Sequence, residues 1–120
     1  MGKARIRCIT FTDGEESTLE ADGQLEFSDA STRVFYAYGD YTFSVTAFAT
    51  HAEIVRTGDA FYRVVLKEGN STPIESALLQ ATVYTHALKS KRTENGFSFM
   101  ASYSLGSGAS MKLFITATLR

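Results

Sequence analysis

Residues 97–119 alternate between apolar and polar side chains, and this pattern restricts the local fold more than any other feature of the chain. Apolar residues occupy every second position from Phe97 to Leu105, with Met100 and three serines between them. The glycine-containing stretch 106–108 follows, and the alternation resumes from Met111 to Leu119. Successive side chains of a strand point to opposite faces, so the pattern predicts two half-buried strands joined by a tight turn.

The same alternation extends back through the chain, and no long stretch repeats with the 3.6-residue period of a helix. Residues 74–81 have the propensities for about two helical turns. Their continuation is rich in threonine and valine, which favours a strand, and a short helix is the alternative. Residues 68–73, which include the sole proline, are predicted to form a loop. The remaining predicted strands are Ile6–Phe11, Leu19–Ser28 with a bulge or bend at Gly23, Thr32–Tyr38, Tyr41–Thr50, His51–Arg56, Phe61–Lys67 and Leu78–Leu88.

Short connections between so many strands indicate an antiparallel meander rather than parallel βαβ units. An open meander would leave two strand edges exposed, and closure into a barrel removes both. We therefore predict that residues 1–120 form a single all-β domain, an antiparallel up-and-down barrel of about eight to nine strands.

Composition limits the classes of partner. The net charge of −1 and the interspersed charges lack the basic stripe that binds nucleic acid, and Lys89, Lys91 and Arg92 are interpreted as a solvated strand end. No run approaches the ~18 apolar residues of a membrane span, and no signal peptide is evident. With one cysteine, no internal disulfide can form, which fits a reducing compartment. We expect a cytoplasmic protein that binds neither nucleic acid nor membranes.

Catalytic and metal-binding patterns are weak. Cys8 alternates with Ile6 on what is predicted to be the inner face, as expected of a small core thiol rather than a nucleophile. His51 and His86 lack the spacing of metal ligands, and no serine lies in a G-x-S-x-G turn. We therefore predict no catalytic residue, no metal and no cofactor, and favour a protein that is not an enzyme.

Arg56 is the most informative single residue. It shares a strand face with Ile54, so it is predicted to point into the barrel. A buried guanidinium is costly unless it is paired, and Glu26, Glu53, Glu75 or a tyrosine hydroxyl are its predicted partners. Two interpretations remain open at this stage: an arginine that bonds carbonyls at the barrel rim, and one that recognises an anion inside a pocket.

Four segments resemble the YwiB-like family of small bacterial proteins, which has no established activity. The resemblance covers residues 6–119, and its most specific element is Arg56 with Gly58 in the IVRTG segment. The family implies a calycin-like (lipocalin-like) β-barrel, a fold whose other members hold small apolar ligands in the barrel mouth. The segments that carry the resemblance are Val34–Tyr38, Ile54–Gly58, Val83–Thr85 and Tyr103–Leu105.

Two functions follow from these features. The first is non-catalytic binding of a small, amphipathic or anionic molecule at one barrel end, with Arg56 holding the anionic group and Tyr36, Tyr38, Phe99 and Tyr103 surrounding the apolar body. The second is a structural or interaction protein with a filled core that forms a homodimer through a strand edge. A hydrolase is a distant third, because no catalytic pair is visible.

Overall fold

The computed structural model describes residues 2–76, 80–106 and 108–120. Within these ranges no helix is long and apolar enough to cross a bilayer. The described residues form ten β-strands in this order: β1 (Gly2–Thr12), β2 (Glu15–Phe27), β3 (Ser31–Tyr38), β4 (Tyr41–Phe48), β5 (Ala52–Thr57), β6 (Tyr62–Leu66), β7 (Ser71–Glu75), β8 (Ala81–Thr93), β9 (Gly96–Leu105) and β10 (Ser110–Leu119).

Each strand pairs with its sequence neighbours, and β1 pairs with β10 to close the sheet into a barrel. The closing register is antiparallel and runs from Ala4 opposite Leu119 to Thr12 opposite Met111. The prediction of a closed, antiparallel, up-and-down barrel is confirmed. The predicted C-terminal hairpin is also present, with Phe99 opposite Ile115, although Ser107 of its turn lies outside the described residues.

The predicted number of eight to nine strands is wrong, because the structure contains ten. The missing strand is β7, whose first three residues, Ser71 to Pro73, fall within the predicted loop 68–73. β7 pairs with β8 from Ser71 opposite Tyr84 to Ile74 opposite Ala81. Direction alternates around an antiparallel ring, so only an even number of strands can close it without a parallel pair. The start of the strand predicted from Leu78 lies outside the described residues, and β8 itself begins at Ala81.

The centre of the barrel is filled by aliphatic side chains from the middle of its strands. Ile6, Val34, Val45, Ile54 and Ile115 are each at most 2% exposed and belong to one contiguous buried cluster. Because these side chains fill the middle of the barrel, the remaining interior space lies toward its two ends. The turns that follow the odd-numbered strands lie at one end, called here the Arg56 end, and the other turns lie with both termini at the opposite end.

Arg92 helps to close the opposite end. Its Nε donates to Thr32 Oγ1 at 2.7 Å, and its Nη2 donates to the carbonyl oxygens of Ser28 at 2.5 Å and Ser31 at 2.7 Å. Its guanidinium also lies 4.9 Å from the centre of the Phe27 ring. Arg92 therefore ties β8 to the turn between β2 and β3, and is not the freely solvated strand end that the sequence suggested.

Gly58 lies in the turn that follows Arg56 and β5. Its φ of +134° is one that side chains rarely adopt, and a Cβ there would lie 2.6 Å from the Asp40 carbonyl oxygen. The turn after β5 thus packs directly against the turn after β3. Beside it, the hydroxyl groups of Thr42 and Thr57 are hydrogen-bonded. This close approach holds the end of β5, and with it Arg56, against β4.

We predict that Gly58→Ala lowers the free energy of unfolding by at least about 2 kcal/mol, because it combines backbone strain with a steric clash. Gly14→Ala is the matched control, since Gly14 also has a positive φ, +86°, but its Cβ would meet no atom within 4 Å. Strain alone should cost this control about 1 kcal/mol. Urea denaturation checks both values, and equal losses in the two variants would show that the packing of Gly58 is unimportant.

Candidate functional site

The Arg56 end contains a cavity of about 320 Å³, called here the Arg56 cavity. This volume is at the lower limit for small-molecule sites. Seven of the ten strands contribute to its wall, as expected if inward side chains converge near one mouth of a barrel. Its lining residues are Cys8, Thr10, Tyr36, Tyr41, Phe43, Ile54, Arg56, Tyr62, Val64, Tyr103, Met111 and Leu113.

Arg56 is the only charged residue among the described residues that line this cavity. In the strand register it lies opposite Phe43 on β4 and Tyr62 on β6. Its guanidinium carbon lies 4.4 Å from the centre of the Tyr41 ring, a distance at which the ring face attracts a cation. Its Nε is buried and makes no hydrogen bond to any described residue. Arg56 therefore points inward as predicted, with a donor left free.

The carboxylates predicted as partners of Arg56 are paired with other arginines. Glu53 and Glu75 accept hydrogen bonds from Arg63, at 2.5 Å and 3.3 Å, and Glu26 forms an ion pair of 3.5 Å with Arg33. The reason is strand alternation. Glu53 and Arg56 differ by an odd number of positions along β5 and so point to opposite faces. No described carboxylate within 4.0 Å neutralises Arg56.

Three tyrosine hydroxyls at this site remain protonated well above neutral pH. Burial raises the pKa of Tyr36, with added repulsion from Cys8 and Tyr41. Burial also raises the pKa of Tyr103 to about 12. At Tyr62 burial raises the pKa even though the positive charge of Arg56 acts in the other direction. The cavity thus combines one cation with neutral hydroxyl groups that can donate hydrogen bonds.

Cys8 lies in the wall of this cavity but is not activated. Burial raises the pKa of its thiol, which lowers the fraction of the nucleophilic thiolate at neutral pH. Its Sγ lies 3.9 Å from Thr10 Oγ1. Its burial agrees with the prediction of a core thiol. Within the described ranges, no three side chains of the His, Cys, Asp and Glu types cluster as metal ligands.

The five predicted site residues do not all lie together. Arg56, Tyr36 and Tyr103 line the Arg56 cavity. Tyr38 does not: it is 49% exposed at the end of β3, with its ring 6.1 Å from that of Tyr41. Phe99 lines a different cavity of about 750 Å³, which is bordered by His51 and Glu68 at the opposite end. The Arg56 cavity therefore holds three of the predicted residues, Tyr38 lies outside the cavity at the same barrel end, and Phe99 belongs to the opposite end.

The larger cavity at the opposite end is lined by two cations among its described residues, Lys89 and Lys91, but both are exposed and neither is a half-buried interior cation like Arg56. Glu68 Oε1 accepts a hydrogen bond from the Leu88 amide at 3.0 Å. His51 stacks on Phe48 with 4.5 Å between ring centres, and its Nδ1 lies 3.0 Å from Thr50 Oγ1. These polar side chains are already engaged within the protein. The Arg56 cavity is therefore the better candidate for ligand recognition.

Tyr41 and Tyr62 are not among the five predicted site residues, although Tyr41 contacts Arg56 and Tyr62 lies opposite it. Tyr62 begins the alternation that continues with the buried Val64 and Leu66, and this pattern marks its inward direction. Tyr41 carries the same signal, because it precedes the buried Phe43 and Val45 at every second position of β4. Only the pairing of β4 with β5 brings the Tyr41 ring under the guanidinium.

No protein-family model matches this sequence, and no curated protein matches it. Among solved structures, the crystal structure of the ywiB protein from Bacillus subtilis matches with a TM-score of 0.76 and 15% sequence identity. The match covers 98% of this chain and 90% of that one. The chain has the fold of the ywiB protein. The match supports the resemblance to the YwiB-like family at the level of a closed antiparallel β-barrel, and at this identity the likeness carries no activity.

The raised pKa values predict a loss of stability at alkaline pH. Well below pH 10, Tyr36, Tyr62 and Tyr103 are protonated in both the folded and the unfolded state, so they add no pH dependence to the free energy of unfolding. Above it the unfolded chain releases protons that the folded protein retains, and stability falls through the folded pKa of Tyr103, about 12. The slope reaches about 1.4 kcal/mol per pH unit for each such tyrosine. Tyrosinate absorbance of the folded protein should show a late component that Tyr36→Phe and Tyr103→Phe reduce. A single absorbance transition near pH 10 that precedes unfolding would contradict this prediction.

The unpaired Nε of Arg56 predicts that Arg56→Met raises the free energy of unfolding of the ligand-free protein by about 1 kcal/mol. An unsatisfied buried donor costs about 1–3 kcal/mol, and methionine can pack against the Tyr41 ring without that cost. Arg33→Met is the control, because Arg33 lies on the outer face with an exposed partner; it should change stability by less than about 0.5 kcal/mol. Thermal denaturation of both variants tests this, and strong destabilisation by Arg56→Met would assign Arg56 a structural role.

Proposed function

We propose that this protein is a binding module for a small anionic molecule, held at the Arg56 end of the barrel. The observation that carries the proposal is the buried Nε of Arg56, which has no described partner and faces a cavity without a carboxylate. A cation left unpaired in a folded protein is costly, and it is explained if a ligand supplies the missing acceptor.

The surrounding groups favour an anion over a neutral or cationic ligand. Guanidinium and tyrosine hydroxyl groups donate hydrogen bonds, and the oxygens of an anion accept them. A cationic ligand would be repelled by Arg56. The Tyr36 and Phe43 rings, with centres 5.3 Å apart, give the same cavity an apolar wall. The arrangement fits a carboxylate on a compact organic molecule, and binding in the barrel mouth is the mode implied by a calycin-like fold.

The second candidate, self-association, has weaker support. The closed ring of described strands leaves no strand without a neighbour on each side, so pairing through a free edge has no evident place. A homodimer would have to use side chains of the outer face, such as Phe114, which is 38% exposed and packs edge-on against Phe11. A hydrolase is not favoured, because the only thiol at the site has a raised pKa.

We predict that monocarboxylates such as benzoate and octanoate raise the melting temperature of the protein, and that Arg56→Met removes this effect. Loss of a charge-assisted hydrogen bond should weaken binding at least about tenfold. Arg33→Met removes the same charge from the outer face and should leave the affinity unchanged. Isothermal titration calorimetry measures both. Equal affinities in Arg56→Met and the unmodified protein would reject the proposal, and native mass spectrometry of the protein as purified would identify a ligand that it retains.

A further inference from the structure

A second cavity of about 570 Å³, called here the side cavity, adjoins the Arg56 cavity. The two cavities share Tyr62, Val64, Tyr103 and Met111 in their walls. They are therefore neighbouring compartments of one barrel end, separated only by side chains. Met111 lies opposite Tyr103 in the register of β9 and β10, and its unbranched side chain can rotate out of the way of a ligand.

The side cavity differs from the Arg56 cavity in its chemistry. Its wall includes four aliphatic side chains, those of Val64, Ile74, Val83 and Leu105. Asp59 is the only charged residue among its described lining residues, and it lies exposed in the turn after β5. No described cation lines this compartment. A negatively charged group would thus lose its hydration there without a compensating charge.

We infer that the ligand is an amphipathic monocarboxylate, with its carboxylate at Arg56 and its apolar body in the side cavity. This inference rests on the proposed function and adds the class of ligand. One guanidinium balances one negative charge, so a phosphate dianion or a second carboxylate would remain uncompensated. Asp59 at the wall of the side cavity adds repulsion against a dicarboxylate. Burial of methylene groups against the aliphatic wall contributes favourable binding free energy.

The test is a series of straight-chain carboxylates titrated into the full chain by calorimetry. From butyrate to octanoate, each added methylene should tighten binding roughly fourfold while the side cavity has room. Suberate, which has the length of octanoate but a second carboxylate, should bind at least about tenfold more weakly than octanoate. Octanol should show the same affinity in Arg56→Met as in the unmodified protein, because it carries no charge for Arg56 to recognise.

Val83→Phe separates the two compartments. Val83 lines the side cavity but not the Arg56 cavity, and a larger side chain there reduces only the space for the apolar body. The variant should weaken the binding of octanoate at least about tenfold and leave the affinity for butyrate unchanged. Val65→Phe is the matched control, because Val65 neighbours the buried Val64 on β6 and points to the outer face. Val83→Leu is a milder substitution that still fills the side cavity if the phenylalanine prevents folding.

The outcomes distinguish this inference from the proposed function. Equal affinities for butyrate and octanoate, both lost in Arg56→Met, would overturn the inference and leave anion binding intact. Octanoate binding that is insensitive to Val83→Phe and Val83→Leu would likewise place the apolar body elsewhere. If no carboxylate in the series binds, the proposed function fails and the inference fails with it.

Discussion

The antiparallel pairing of β1 with β10 is the constraint on which the remainder of the structure depends. It joins the two ends of the chain along a continuous register from Ala4 to Thr12, and it gives both terminal strands two neighbours. A sheet with free edges would leave two rows of backbone groups unpaired and its apolar face open. Closure satisfies the backbone and defines an interior. It also forces inward side chains from distant parts of the sequence to converge on the same small volume.

Arg56 is the clearest exception to good internal packing. Most of the buried interior is apolar, and the Arg92 guanidinium at the opposite end has described hydrogen-bond partners. Arg56 instead has a neighbouring aromatic ring and an unsatisfied buried donor. Features that reduce stability without a visible compensation tend to occur at functional sites. The exception is informative because Arg5, Arg33 and Arg63, which face outward, each have a carboxylate partner.

Much of the fold was predictable because strand alternation is a local property. The hairpin of β9 and β10, the inward direction of Arg56 and the burial of Cys8 each follow from the two-residue period of neighbouring side chains. β7 was missed because its proline resembles a loop signal, and because a five-residue strand offers few positions on which to recognise alternation. The charge pairs were missed for another reason: Glu53 and Glu75 meet Arg63 through strand pairing, which no local pattern reveals.

By itself, the sequence determined that the chain forms a curled antiparallel sheet and which side chains face its interior, since both depend on short-range alternation and turn residues. It did not determine which inward residues share an end of the barrel. Only the tertiary structure shows that Tyr36, Tyr103 and Arg56 line one cavity. It also shows that Phe99 lines the cavity at the opposite end and that Tyr38 is exposed. The physical reason is that register and closure set the height of each side chain along the barrel axis, and these arise from pairing between strands far apart in the chain.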